Sequence, residues 1–349
     1  MNRLLQVAGR SRVLPYALFI AVLLCVPAVF TRVSFFTMST GVQMCLIAIA
    51  TLGFVLLFGF AGQISLGQAA FYGTGAYSSA ILTGTYGVSP VLAVVVGVVV
   101  SAGVAFVVGR LILRVRGHYL ALATLSFGLV VFYVAGQLPI TGGTTGLPDI
   151  PKLAIGPIRF DDDLSFFYLA ATVLVLLVLA ADNLVRSPIG RSLRAVGDSE
   201  TAAAASGVDV TGRKVLTFVI AAVLASIAGS LYAHWVGYVD PTTLELLFSV
   251  ELLVTATVGG ARSVWGAPIG AAAIVSLTQG AREILPRVAP NVGGEFEIVV
   301  YGIVLVLFVL FLPRGIAGAG ASLLARVRPA GTPRETGRRT PRASEEAAA

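Results

Sequence analysis

The sequence predicts an all-α integral membrane protein of about ten transmembrane helices with both termini in the cytoplasm. Three observations predict it. Of 349 residues, 57% are hydrophobic and only 12% charged, with a mean hydropathy of +0.92, whereas soluble globular chains carry roughly 25% charged residues. Apolar runs of about 18 residues or more recur, each long enough as a helix to cross roughly 30 Å of hydrocarbon. Basic residues segregate as well. With the N-terminus inside, nineteen of the 24 Lys and Arg fall in inner loops, the asymmetry expected when positive charge is retained in the cytoplasm.

The first span, 13–30, follows Arg3, Arg10 and Arg12 and is longer than a signal-peptide core, with no small-residue cleavage site after it. Further spans are read at 41–60, 64–82, 90–109, 117–138, 164–182, 214–235, 247–260, 264–282 and 296–313. The weakest is 247–260, which is short and carries Glu251. The outer loop 139–163 holds four prolines and the acidic run Asp161, Asp162 and Asp163, a composition that suits an irregular exposed segment. From Gly315 onward arginine alternates with Pro, Gly and Thr, too polar to bury a core, so disorder is expected. The organisation is thus a cytoplasmic segment 1–12, a membrane domain 13–318 and a disordered polar tail 319–349. The net charge of +7 lies in short loops and span ends, which points to lipid headgroups rather than nucleic acid. Cys25 and Cys45 fall inside apolar runs and read as buried small hydrophobes.

Between spans six and seven lies a polar stretch, SPIGRSLRAVGDSETAAAASGVDVTGRK. Ser187 suits a helix N-cap with Pro188 at the first helical position, and Gly207 suits a left-handed stop after the alanine run. One or two short surface helices follow, with Leu193 and Val196 on one side and Arg191, Arg194 and Glu200 offering charge. The residue types fit two roles: an element gripped by a partner protein, or an amphipathic linker on the lipid surface.

The run GFAGQISLGQAAFYGTGAYSSA, 59–80, mixes glycines with Gln63, Ser65, Gln68 and Ser78. Small residues permit close helix packing, and amides or uncovered backbone at membrane depth must face protein or a watery path. Gly62, Gln63, Ser65, Gly67, Gln68, Tyr72, Gly75 and Tyr77 are therefore candidates for packing or for lining a passage. Glu251 is read as a carboxylate within a span, suited to a functional role or to a place near the outer interface. Neither lysine, Lys152 or Lys214, follows a phosphate-loop pattern, and no HExxH, CxxC or GxSxG occurs, so an ATPase, hydrolase or metal-enzyme reading has no support.

Together, GFAGQISLGQAAFYGTGAY at 59–77, ITGGTTGLP at 140–148, RSPIGRSLRAVGDSETAAAASGVDV at 186–210 and TVGGARSVWGAPIGAA at 257–272 resemble the permease subunits of branched-chain amino acid ABC importers. The likeness is to the second of their two paired permeases and covers most of 13–318. The resemblance implies a multi-pass permease of the bacterial inner membrane that binds no cofactor itself. It implies four kinds of partner: a sister permease, two cytoplasmic ATP-binding subunits that carry ATP and Mg²⁺, an extracytoplasmic solute-binding protein, and the lipid bilayer. The polar stretch would be the coupling segment, 187–211, with Ser187, Pro188, Gly190, Arg191, Arg194, Glu200 and Gly207 its candidate contacts. Ala204 stands where the family commonly has a second acidic residue, and Asp198-Ser199 replaces its Glu-Asn. Thr141, Gly142, Gly143 and Gly146 match the glycine-rich outer segment, and Glu251 joins the candidate path residues. Two alternatives stand beside this reading: a permease for urea or short amides, and, from a different class, a proton-coupled carrier or channel.

Overall fold

The computed structural model describes residues 13–30, 36–113 and 118–288, together with Gly302 and Ile316. The N-terminal segment 1–12, the tenth predicted span 296–313 apart from Gly302, and the tail 319–349 lie outside the described residues. The elements are α1 (Val13–Phe30), α2 (Met38–Phe54), α3 (Gln68–Ala80), α4 (Pro90–Ile112), α5 (His118–Gln137), α6 (Asp163–Arg186), α7 (Pro188–Asp198), α8 (Glu200–Ala205), α9 (Val210–Val236), α10 (Leu246–Gly259) and α11 (Gly266–Val288). A two-residue hairpin, β1 (Ala154–Ile155) and β2 (Ile158–Arg159), pairs antiparallel in the loop before α6. Among the described residues five helices are long and apolar enough to cross a membrane, and two shorter apolar helices accompany them. The protein is a helical membrane protein.

α2 and α9 form the centre of the bundle, while α4 and α5 turn valine-, leucine- and tyrosine-rich faces outward. The inner helices approach closely because their contacts are made by small residues. A Cβ built at Gly229 would lie 1.9 Å from the Tyr72 carbonyl oxygen, and one at Gly75 would lie 2.2 Å from that of Ser226. The Ser230 hydroxyl donates to the Gly75 carbonyl across the same α3–α9 seam at 3.0 Å. In lipid no hydrophobic drive pulls helices together, so such close backbone packing and interhelical hydrogen bonds carry the association.

Two departures from the sequence expectation matter for the site. The expected span 64–82 is helical only from Gln68, because α2 ends in a wide π-type turn over Val55–Phe60 and the chain then runs irregularly through 61–67. The loop 139–163 is also more ordered than its prolines suggest. Leu147 and Val239 exchange backbone hydrogen bonds of 2.8 and 3.1 Å, and Ile150 N–H donates to the Gly237 carbonyl at 3.0 Å. The Tyr238 hydroxyl donates to Thr145 O and Lys152 Nζ to Trp235 O, each at 2.6 Å. Asp163 is not loose either: it accepts from Ser39 Oγ at 2.6 Å and from Trp235 Nε1 at 3.0 Å, tying the start of α6 to α2 and α9. α6 has 24 residues, so this latched loop, which precedes it, and α7, which follows it, stand roughly 36 Å apart along it.

Candidate functional site

The polar stretch after α6 folds as two capped helices. Ser187 caps α7, its Oγ accepting from Gly190 N–H at 3.4 Å and donating to Leu184 O at 2.7 Å, with Pro188 at the first helical position. Ser199 caps α8 and Asp209 caps α9, accepting from Ala202 and Gly212 N–H at 3.3 and 3.0 Å. Gly207, at φ +82°, ends α8 with its Cα facing open space. A left-handed residue there lets Gly207 and Val208 donate to the Ala204 and Ala203 carbonyls, both at 3.0 Å, satisfying helix-end acceptors.

α7 is strongly amphipathic. Leu193 is fully buried and Val196 nearly so, and burying such side chains contributes about 1.5–3 kcal/mol each. Arg191 and Arg194 are exposed; Arg194 Nη1 also donates to the Val185 carbonyl at 3.1 Å. Gly190 sits on the Val185 carbonyl, where a Cβ would come within 2.1 Å. Glu200 of α8 forms an ion pair with Lys214 of α9, which is only 3% exposed. At the junction with α6, Asp182 pairs with Arg186 at 2.8 Å and accepts a hydrogen bond from Tyr16 of α1.

α7 lies directly against the irregular segment of the second motif. Gly62 takes φ +66°, and a Cβ there would lie 3.2 Å from Gly197 Cα; a Cβ at Gly197 would lie 2.5 Å from the Phe60 carbonyl oxygen. Gly59 abuts the connection between α10 and α11, a Cβ there reaching 1.6 Å from Ala261 O. Three connections, 59–62, 187–198 and 260–262, therefore meet at one end of the bundle. From there 61–67 leads to the start of α3. Backbone groups here and in the first turn of α3 find partners on other helices: Leu66 N–H donates to Thr124 Oγ1 of α5 at 3.0 Å, and Ala69 N–H to Ser249 Oγ of α10 at 2.9 Å. Irregular backbone at membrane depth survives only with such internal partners.

The remaining candidates are distributed along this segment and α3. Gln63 and Gln68 are 2% and 0% exposed, and their amide groups have no hydrogen-bond partner among the described residues. Ser65 is buried and accepts from Gly67 N–H at 3.4 Å, and Gly67 packs on the Thr124 carbonyl. The Tyr72 ring lies 4.5 Å from that of Phe248 and 5.7 Å from that of Tyr232, centroid to centroid. Tyr77 is buried nearer the far end of α3. Glu251 is half-buried in the second turn of the 14-residue α10. At the opposite end of the bundle Thr141 Oγ1 donates to Ala135 O at 2.5 Å, and Gly142, Gly143 and Gly146 all have positive φ. The fold thus joins the polar stretch to 59–68, and separates both from Gly142, Gly143 and Gly146.

Sequence reasoning missed several participants. Thr124 and Ser249 lie outside the quoted motifs, Gly197 and Lys214 lie inside the polar stretch without a local signal that sets them apart, and only partners distant in sequence reveal all four. Asp182 had a weak signal, a carboxylate at the end of an apolar run.

The sequence profile of the family described as "Branched-chain amino acid transport system / permease component" matches residues 36–309. The LivM permease protein of the high-affinity branched-chain amino acid transport system of Salmonella typhimurium is 30% identical over 289 residues, 76% of this chain and 66% of that protein. This chain therefore spans just under two thirds of the length of that relative. The ribose import permease RbsC of Bacillus subtilis is 30% identical over 246 residues, 67% of this chain and 72% of that protein. LivH of Escherichia coli, a permease protein of the same kind of system as LivM, is 26% identical over 288 residues, 78% and 91% of the two chains. No solved structure matches the chain significantly. A multi-pass helical bundle with its polar helix pair and glycine-rich segment in these positions, matched over most of its length by that profile, belongs to the family of branched-chain amino acid transport permeases.

Proposed function

We propose that this chain is one permease half of an ATP-driven importer for branched-chain amino acids. It pairs with a sister permease, couples to two cytoplasmic ATP-binding subunits that hold ATP and Mg²⁺, and takes substrate from an extracytoplasmic binding protein. About ten spans place both termini in the cytoplasm, with 13–318 as the membrane domain and 319–349 as a polar tail. The observation that carries this is the capped α7–α8 pair, whose apolar side is buried on the bundle while Arg191 and Gly207 stay exposed. A linker that merely lay on lipid would turn its apolar side outward. Contacts of 59–62 and 260–262 with the α7 end, and of 138–150 with 237–239 at the other, agree with the alternation of loops that the arginine count requires.

In this reading ATP binding by the partners moves α7–α8, with Ser187, Pro188, Gly190, Arg191, Arg194, Glu200 and Gly207 at or behind the contact. The motion biases two arrangements of the spans. Gly62, Gln63, Ser65, Gly67, Gln68, Tyr72, Gly75, Tyr77 and Glu251 serve the path, and Thr141, Gly142, Gly143 and Gly146 shape the outer face. Co-purification with the ATP-binding subunits tests the coupling. Gly207→Ala carries the same backbone strain as Gly207→Arg without its bulk, so the alanine variant keeps the complex and the arginine variant loses it. Retention of the complex by both overturns the assignment. Uptake of labelled leucine against urea by the reconstituted system tests the substrate class.

A further inference from the structure

At the α7 end of the bundle a cavity of about 410 Å³ opens between α7, the π-type end of α2 and the 260–265 connection. Phe58, Phe60 and the backbone of Gly59 and Gly62 form much of its wall, and Arg194, Asp198 and Arg262 bring charge to it. Two arginines and one aspartate thus line it, Arg262 paired with Asp198 and Arg194 Nη1 bonded to the Val185 carbonyl at 3.1 Å. That carboxylate is weakly committed: Asp198 and Arg262 meet at 3.2 Å with side chains 70% and 82% exposed, and exposed pairs of this kind are worth about 0.2–1 kcal/mol. The volume falls within the roughly 300–1,000 Å³ of pockets that enclose a bound group.

We propose that this pocket receives an acidic side chain on an apolar segment of the ATP-binding partner, with Arg262 and Arg194 as the recognising cations. The inference rests on the reading of 187–211 as the partner contact. It adds a second chain segment, 260–265, to that contact, so the partner would hold α7 from its pocket side as well as from its exposed side. The incoming carboxylate takes Arg262 from Asp198, and the phenylalanine-lined wall accepts the apolar part of the segment. The positive excess complements an acidic partner, and Arg194 belongs to the same helix that carries the exposed Arg191. Because the pocket wall includes the 59–62 turn, an occupant would bear directly on the segment that leads to Gln63 and Gln68.

The test measures binding of the purified ATP-binding subunits to the assembled permease pair in phosphatidylcholine nanodiscs. Reversing one interfacial charge, Arg262→Glu, is expected to weaken binding about tenfold and to flatten its salt dependence, while Arg262→Lys stays near wild type. Arg262→Gln, expected between the two, provides the same comparison should the reversed charge reduce thermal stability. Equal binding by wild type, Arg262→Glu and Arg262→Gln overturns the pocket assignment alone. Absence of binding by the wild-type pair overturns the coupling reading beneath it. A difference that emerges only when phosphatidylglycerol is added assigns the pocket to a lipid phosphate and overturns the protein occupant.

Discussion

Gly197→Ala probes the contact through which α7 meets the 59–62 turn. The added Cβ would stand 2.5 Å from the Phe60 carbonyl oxygen and 3.3 Å from both Gly62 N and the Phe60 carbonyl carbon. These are backbone atoms, so no side-chain rotation relieves the clash, and α7 must lift from the turn by roughly 1 Å to restore an ordinary contact. Overpacking of this sort costs about 1–3 kcal/mol. Replacing a helical glycine by alanine returns about 0.8–1 kcal/mol, which leaves a net loss of about 0–2 kcal/mol. The melting temperature of the purified permease should therefore fall by no more than a few degrees. Function should suffer more than stability, because the lift separates α7 from the one turn that joins it to 61–67. On the proposed function, uptake by proteoliposomes holding this permease with its partner subunits is expected to fall several-fold while the ATP-binding subunits still co-purify, since the exposed Gly207 end of the segment is untouched. Wild-type uptake by Gly197→Ala would refute the idea that this contact transmits motion.

Other perturbations follow from the same geometry. Glu200→Gln leaves the buried Lys214 without its ion pair and should lower stability by about 1–3 kcal/mol, Glu200 itself being one third exposed; adding Lys214→Met should recover most of the loss in a thermal melt. Asp163→Ala removes the acceptor of Ser39 and Trp235 and should cost about 1–3 kcal/mol. With Trp265→Phe to leave a single tryptophan, it should also shift the emission of Trp235; unchanged emission would mean the pair does not form.

Local chemistry made much of this protein legible. Run length located nine apolar helices among the described residues, most of their ends to within about four residues, since a bilayer leaves helix as the answer for an apolar run; the last of them runs on to Val288, six residues past its expected end. Ser187-Pro188 and Gly207 marked the limits of the helix pair because caps and stops depend on neighbours in sequence. The expected start of the third span at 64 was too early for the opposite reason. Hydropathy cannot register that Leu66 and Ala69 find their partners in Thr124 and Ser249, which lie 58 and 180 positions away.

The sequence by itself determined the class of protein, the order of its helices along the chain, and the existence of a polar helix pair between α6 and α9. Only the tertiary structure decided that this pair rests on Gly62 through Gly197, that Lys214 is buried against Glu200, and that Asp163 clasps Ser39 and Trp235. Helix formation and capping are governed by residues a few positions apart. Close backbone approach, buried ion pairs and hydrogen bonds to an unwound segment depend on which distant surfaces the packed bundle brings together.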